Sequence, residues 1–227
     1  MSRTAETSSV PAPSEVTAPE RLRCDAARNR ERVLSAASEV YGERGPAFTM
    51  EEVASRAGVG IGTVYRRFPT KGALLDAIAL PYLERILSLA RAAGEHREPG
   101  ERLETFVRTF AERHASERMG SGRLWDSTLG RPLRDEIARV VDSLLDAARK
   151  AGRLRPDVTY RDVSVLLWTL TSLIDATDQI APMVWRRHLD LLLDGLRPGG
   201  PRPLATPPVN AEEWERVVTS SAALRLH

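Results

Sequence analysis

From Asp25 onward the apolar positions fall at helical intervals. Ala26, Val33, Leu34, Ala37, Val40 and Tyr41 recur every three or four residues up to Gly45. Gly45 stands where a left-handed C-cap belongs and Pro46 follows it, so the helix stops there. Thr49 opens a second helix with complete punctuation. Its hydroxyl can accept from the amide of Glu52 while the Glu52 carboxylate reaches back, and Phe48 can staple onto Val53 across the same turn. Val53, Ala54 and Ala57 point inward and Gly58 ends the helix. Beyond Val59 and Gly60 the spacing predicts a short third helix over Ile61–Phe68, stopped by Pro69. So tight a reversal needs residues that accept positive φ, and glycines at 58 and 60 supply them.

Thr70 caps a fourth helix carrying Leu74, Leu75, Ile78, Leu83, Ile86, Leu87 and Leu89, with Pro81 inside it. A proline there removes a backbone hydrogen bond and predicts a kink, a natural hinge between the preceding and following parts. Gly94 to Gly100 breaks the pattern. Helices are predicted again at about Glu101–Arg118, Arg123–Leu129, Pro132–Ala151, Arg161–Gln179 and Pro182–Leu196. No alternating strand pattern and no internal repeat occur. The expected fold is therefore all-α: a three-helix helix-turn-helix head and a helical-bundle body. Residues 1–20, rich in Ser, Thr, Pro and Ala, read as a flexible arm. Residues 21–80 form the head, 81–197 the body, and 198–227 a Pro/Gly-rich linker and tail, in which Ala211–Leu226 fits either an accessory helix or a frayed end.

Composition narrows the class. Of 227 residues, 42% are hydrophobic and 28% charged, which fits a soluble globular protein. No apolar run approaches the ~20 residues that span a bilayer, and the first twenty residues lack the apolar stretch of a secretory signal. A cytoplasmic address and no membrane partner are the expectation. Cys24 is the single cysteine, so neither an internal disulfide nor a cysteine-based metal site is expected. The net charge is only +2, but the head holds ten Lys/Arg against seven Asp/Glu, and the positive excess sits there. A nucleophile elbow, an HExxH helix, a phosphate-binding loop and a dinucleotide fingerprint are all missing from the sequence, so an enzyme is not expected. No cofactor and no metal are expected either.

A short second helix after a glycine turn can enter a DNA major groove about 12 Å wide. Ile61 and Thr63 can face base edges, and Gly60 and Gly62 let backbone come close. Tyr65 can hand its hydroxyl to a phosphate, and Arg66 and Arg67 can reach guanine edges or phosphates. Lys71 sits in the first turn of the next helix, whose unpaired amides already favour an anion. Thr49 is expected to mirror it on the other side of the groove. Arg21, Arg23, Arg28, Arg30 and Arg32 add diffuse charge that steepens the salt dependence.

The stretch TMEEVASRAGVGIGTVYRRFPTKGALLDAI, Thr49 to Ile78, resembles the signature of the tetracycline-repressor (TetR) family of bacterial regulators. The matching parts are the capped helix, the A-x-x-A-G-V turn at Ala54–Val59, the G-[ST]-[LVI]-Y-x-[YHR]-F stretch at Gly62–Phe68 and the K-x-x-L-[LF] start at Lys71. The resemblance implies a homodimer on double-stranded operator DNA, with a sensing body and repression relieved by a small-molecule effector. Thr49, Ile61, Gly62, Thr63, Tyr65, Arg67 and Lys71 match the family's usual DNA contacts. Arg67 departs from the aromatic or histidine often found at its position. A dimer controlled by a protein partner or by its abundance is the alternative.

The helices at Arg161–Gln179 and Pro182–Leu196 are the most apolar of the body. Leu167, Leu170, Ile174, Trp185, Leu189, Leu192, Leu193 and Leu196 are expected to build a four-helix dimer interface. His114, Trp125, Asp126, Trp168 and Asp175 are the polar and aromatic residues set amid apolar helices, as in a mostly apolar ligand pocket with a few orienting groups. Taken singly, each tryptophan also reads as packing, His114 as a satisfied histidine, and Asp175 as the partner of an arginine.

Overall fold

The first helix buries one long stripe because its apolar residues repeat at i, i+3/i+4 and i+7. Val33, Ala36, Ala37, Val40 and Tyr41 of α1 (Ala18–Arg44) are all withdrawn from solvent. The computed structural model describes residues 18–117, 130–199 and 204–220. Within them α1 already begins at Ala18, inside the segment expected to be an arm. It ends where Gly45 takes φ +59°, and a 3-10 turn (Gly45–Ala47) leads on. Phe48 then packs edge-on against Tyr41, ring centroids 5.8 Å apart.

The capping box of α2 (Met50–Ala57) forms as its sequence dictates. The Glu52 amide donates to Thr49 Oγ1 at 3.2 Å and the Thr49 amide donates to Glu52 Oε2 at 2.9 Å. Gly58 closes the helix at φ +62°. Gly60 does not share that conformation: at φ −67°, ψ 142° it is ordinary extended backbone, so one glycine, not two, makes the reversal. A Cβ on Gly58 would also stand 2.8 Å from Arg32 Nη2. Gly58→Ala is expected to cost about 1–2 kcal/mol through the left-handed backbone alone. Thermal denaturation should show a Tm lowered by roughly 2–8 °C.

After α3 (Ile61–Arg67), Thr70 caps α4 (Lys71–Gly94) by accepting from the Ala73 amide at 3.1 Å. α4 runs unbroken through Pro81, which is exposed. The expected break in the pattern at Gly94 is present, and a 3-10 turn (Pro99–Glu101) opens α5 (Arg102–Glu117). α6 (Arg131–Lys150), α7 (Tyr160–Thr177), α8 (Val184–Gly195) and α9 (Ala211–Ser220) follow. The helix expected at 123–129 lies outside the described residues. Among the described residues there is no strand, and the accessory helix of the tail exists.

α4 is the spine. It packs on α1 in the head and on α5 and α6 in the body, while α7 lies between α5 and α8. The buried residues of head and body form one continuous apolar cluster, joined along α4 through Leu74, Ala79, Leu83, Ile86 and Ala90. α9 returns from the tail to lie on the Gly45–Ala47 turn of the head, burying Trp214. Its lead-in is held at the other end, where the Leu204 amide donates to Asp157 Oδ2 at 3.1 Å. Asp157 is clamped by Arg155 at 2.6 Å, and that guanidinium holds its carboxyl below the usual range.

Candidate nucleic-acid interface

α3 has only seven residues, so its position is set by what it buries. Val64 is fully buried and Phe68, just past its end, nearly so. The opposite face is left to solvent. Ile61 is 38% exposed and Tyr65 44% exposed, one helical turn apart on the same stripe. These two large side chains, exposed one turn apart on a short helix, have no role in the chain's own core.

Gly60 and Gly62 flank this stripe, and a Cβ on either would meet nothing within 4 Å. Nothing inside the chain requires glycine there. Thr63 is half-buried, and its hydroxyl accepts from Arg66 Nη2 at 3.1 Å. Arg66 is therefore tied back along its own helix, whereas Arg67 is exposed with no ion pair among the described residues.

Lys71 extends its ammonium over the ring of Phe48, 4.4 Å from the centroid. Because Phe48 immediately precedes Thr49, this contact brings Lys71 close to the cap of α2. Thr49 spends one lone pair on the Glu52 amide, which leaves its hydroxyl proton to donate outward. The amide ends of α2 and α4 converge near this contact and add partial positive charge.

Two arginines have positions that the sequence did not disclose. Arg32 on α1 donates to the carbonyl of Ala57 at 2.6 Å, binding the last turn of α2. It is a helix cap and not part of the diffuse charge. Arg56 on α2 donates to Glu43 at 2.9 and 2.8 Å and to Glu39 at 3.3 Å, and these bonds raise its pKa. Both arginines tie α1 to α2. Arg28 and Arg30 are exposed on α1, and the side chains of Arg21 and Arg23 lie outside the described residues.

In the body, His114 is 1% exposed, and its Nε2 stands 2.9 Å from Asp175 Oδ1. The partner of Asp175 is thus a histidine, not an arginine. Trp168 lies on the same helix as Asp175, with its indole nitrogen buried. Trp125 and Asp126 lie outside the described residues. Of the eight residues expected at a dimer face, Leu167, Leu170, Ile174, Trp185, Leu189 and Leu193 are buried in the chain's own core, and Leu192 and Leu196 pack against it half-buried. At and just before α8 the surface instead offers Ile180 at 89%, Met183 at 60%, Val184 at 42% and Leu191 at 60% exposure. No described helix is long and apolar enough to cross a membrane.

Known proteins match both halves. Residues 33–78 match the profile of bacterial regulatory proteins, tetR family, and residues 98–198 that of the C-terminal domain of SbtR-like transcriptional regulators. The HTH-type transcriptional regulator UidR of Escherichia coli is 28% identical over 166 residues, 66% of this chain and 81% of UidR. A TetR transcription regulatory protein from Mycobacterium vanbaalenii is 34% identical, covering 78% of this chain and 99% of that one, with a TM-score of 0.44. CprB of Streptomyces coelicolor, solved in complex with its operator sequence, is 23% identical over 76% of this chain and 90% of that one, with a TM-score of 0.56, a likeness of fold.

Proposed function

The chain belongs to the tetR family of bacterial regulatory proteins, and from that premise we propose that it is a dimeric repressor released from its operator by a small molecule. It is a transcriptional regulator with a helix-turn-helix head. The observation that carries the DNA-reading part is the exposed Ile61–Tyr65 stripe of α3, anchored from behind by Val64 and flanked by the Thr49–Lys71 cluster. In this reading Ile61 and Thr63 meet base edges, Tyr65, Thr49 and Lys71 hold phosphates, and Gly60 and Gly62 admit the DNA backbone. Arg67 adds a base or phosphate contact, and Arg66 supports Thr63.

A rigid α3 alone cannot give gating; the spine α4 links it to the body. Its first turn carries Lys71 and its buried face continues into the α5–α6 core, so a change in the body core moves the phosphate clamp. Two heads on a symmetric dimer would address half-sites about 34–36 Å apart. Fluorescence anisotropy on duplexes from the promoters of its own and neighbouring genes tests the reading. Sequence-specific binding that falls steeply with salt is expected, and equal affinity for random duplex would reject it.

For the dimer, the surface supports a face centred on α8 and the turn before it, with Val184 and Leu191 on one stripe two turns apart. Leu191→Glu places a charge on that face without touching the core. It is expected to shift the protein from dimer to monomer in sedimentation velocity and to weaken operator binding. An unchanged sedimentation coefficient would place the interface elsewhere.

A further inference from the structure

Buried polar atoms are nearly always hydrogen-bonded, so those without a protein partner are places where water, an ion or a ligand can bind. Among the described residues two such side-chain atoms occur: His114 Nδ1 and Trp168 Nε1. They are not scattered. His114 on α5 is bonded through Nε2 to Asp175, and Trp168 stands seven residues before Asp175 on α7, on the same helical face. Two turns separate them, about 10 Å along the axis.

The chemistry of the two atoms differs. An ionised carboxylate only accepts, so Nε2 is the donor to Asp175, and in the neutral tautomer this bond selects, Nδ1 holds a lone pair. The indole Nε1–H only donates. A single partner for both would therefore offer one donor and one acceptor. The surroundings are aromatic: the His114 ring stacks on Phe110, centroids 6.2 Å apart at 21°. Tyr82 of α4 is buried close enough for Asp175 to act on it, and burial followed by that charge pushes its phenol well above the usual range, so it stays neutral. No lysine or arginine pairs with Asp175 among the described residues, so an anionic ligand would meet a like charge with no counterion. An ammonium group cannot accept from Trp168.

We propose that His114 and Trp168 form the orienting pair of an effector site for an uncharged aromatic compound bearing a hydroxyl and a carbonyl. The hydroxyl donates to His114 Nδ1, the carbonyl accepts from Trp168, and the ring lies among Phe110 and Tyr82. Asp175 fixes the tautomer of His114 and touches no ligand atom. The proposal rests on the ligand-gated reading above and adds the ligand's chemical class. Because Tyr82 belongs to α4, the site borders the helix that carries Lys71.

Four probes on one scaffold test it with the full-length chain: 4-(hydroxymethyl)acetophenone, the same compound with ethyl in place of hydroxymethyl, the 4-carboxylate and the 4-aminomethyl analogue. Binding is read by saturation-transfer NMR and by titration of tryptophan fluorescence. The alcohol is expected to bind most tightly, with about tenfold loss in the ethyl analogue and about tenfold loss in His114→Gln and in Trp168→Phe. His114→Gln keeps an amide N–H for Asp175 and takes the acceptor away from the Nδ1 position, together with the ring stacked on Phe110. Circular dichroism of both variants should match the parent.

Tighter binding of the carboxylate or the amine overturns the proposed class, and alcohol binding indifferent to both substitutions overturns the proposed site. Neither result touches ligand gating. If none of the four binds, the proposal fails. Ligand gating itself fails if a general thermal-shift screen also yields no compound that raises Tm or lowers operator occupancy.

Discussion

Lys71→Ala is expected to weaken operator binding by about 100-fold. A charge-assisted contact to phosphate contributes about 1.5 kcal/mol net at the low end, which is roughly tenfold per head, and a symmetric dimer loses it twice. The salt dependence carries the sharper signature. Two fewer cations on phosphate should flatten the slope of log K against log salt by about 2. Tyr65→Ala should cost a similar factor, since it removes both a hydroxyl and a 44% exposed ring from the reading face, but it carries no charge and should leave the slope alone. Anisotropy at three salt concentrations separates the two. Parent-like affinity in both variants would mean that α3 does not contact DNA.

Leu83→Ala should be the most destabilising single truncation among those considered. Leu83 is fully buried on α4 within the core that head and body share, and such a change costs about 2–5 kcal/mol. That corresponds to a fall in Tm of roughly 5–20 °C for a chain of this size. Calorimetry should show one transition that moves as a whole, because the apolar cluster has no gap at which the head can separate. Two resolved transitions, with only one displaced, would show that the head unfolds by itself.

What could be read from the sequence follows the range of the interactions. The capping box at Thr49, the glycine stop at Gly58 and the buried spacing of Val53 and Val64 are set by residues within one turn, and each is where the pattern put it. Arg32 bonds a carbonyl 25 residues away, and His114 meets Asp175 across 61 residues. Neither has a local signature, so the sequence reads Arg32 as diffuse charge and Asp175 as the partner of an arginine. The dimer face shows the same limit. Periodicity identified α7 and α8 as apolar on more than one side, but it could not say which side the chain covers by itself. Leu170 and Leu189 went to the interior, and Leu191 did not. Lys71 and Thr49 are 22 positions apart, and the contact of Lys71 with the Phe48 ring that brings them close has no local signature either.

The returning C-terminal helix has a mechanical corollary. Between Leu204, moored to Asp157, and the first residue of α9, seated by Trp214 on the head, the backbone is a leash of six residues, or seven Cα–Cα steps. Fully stretched, that leash reaches no more than about 25 Å. Any pivoting of the head away from the body must therefore stop at the leash's limit, unseat the indole or snap the Asp157 mooring. The arc through which the molecule can open is thus set by residues lying more than a hundred positions beyond the reading helix.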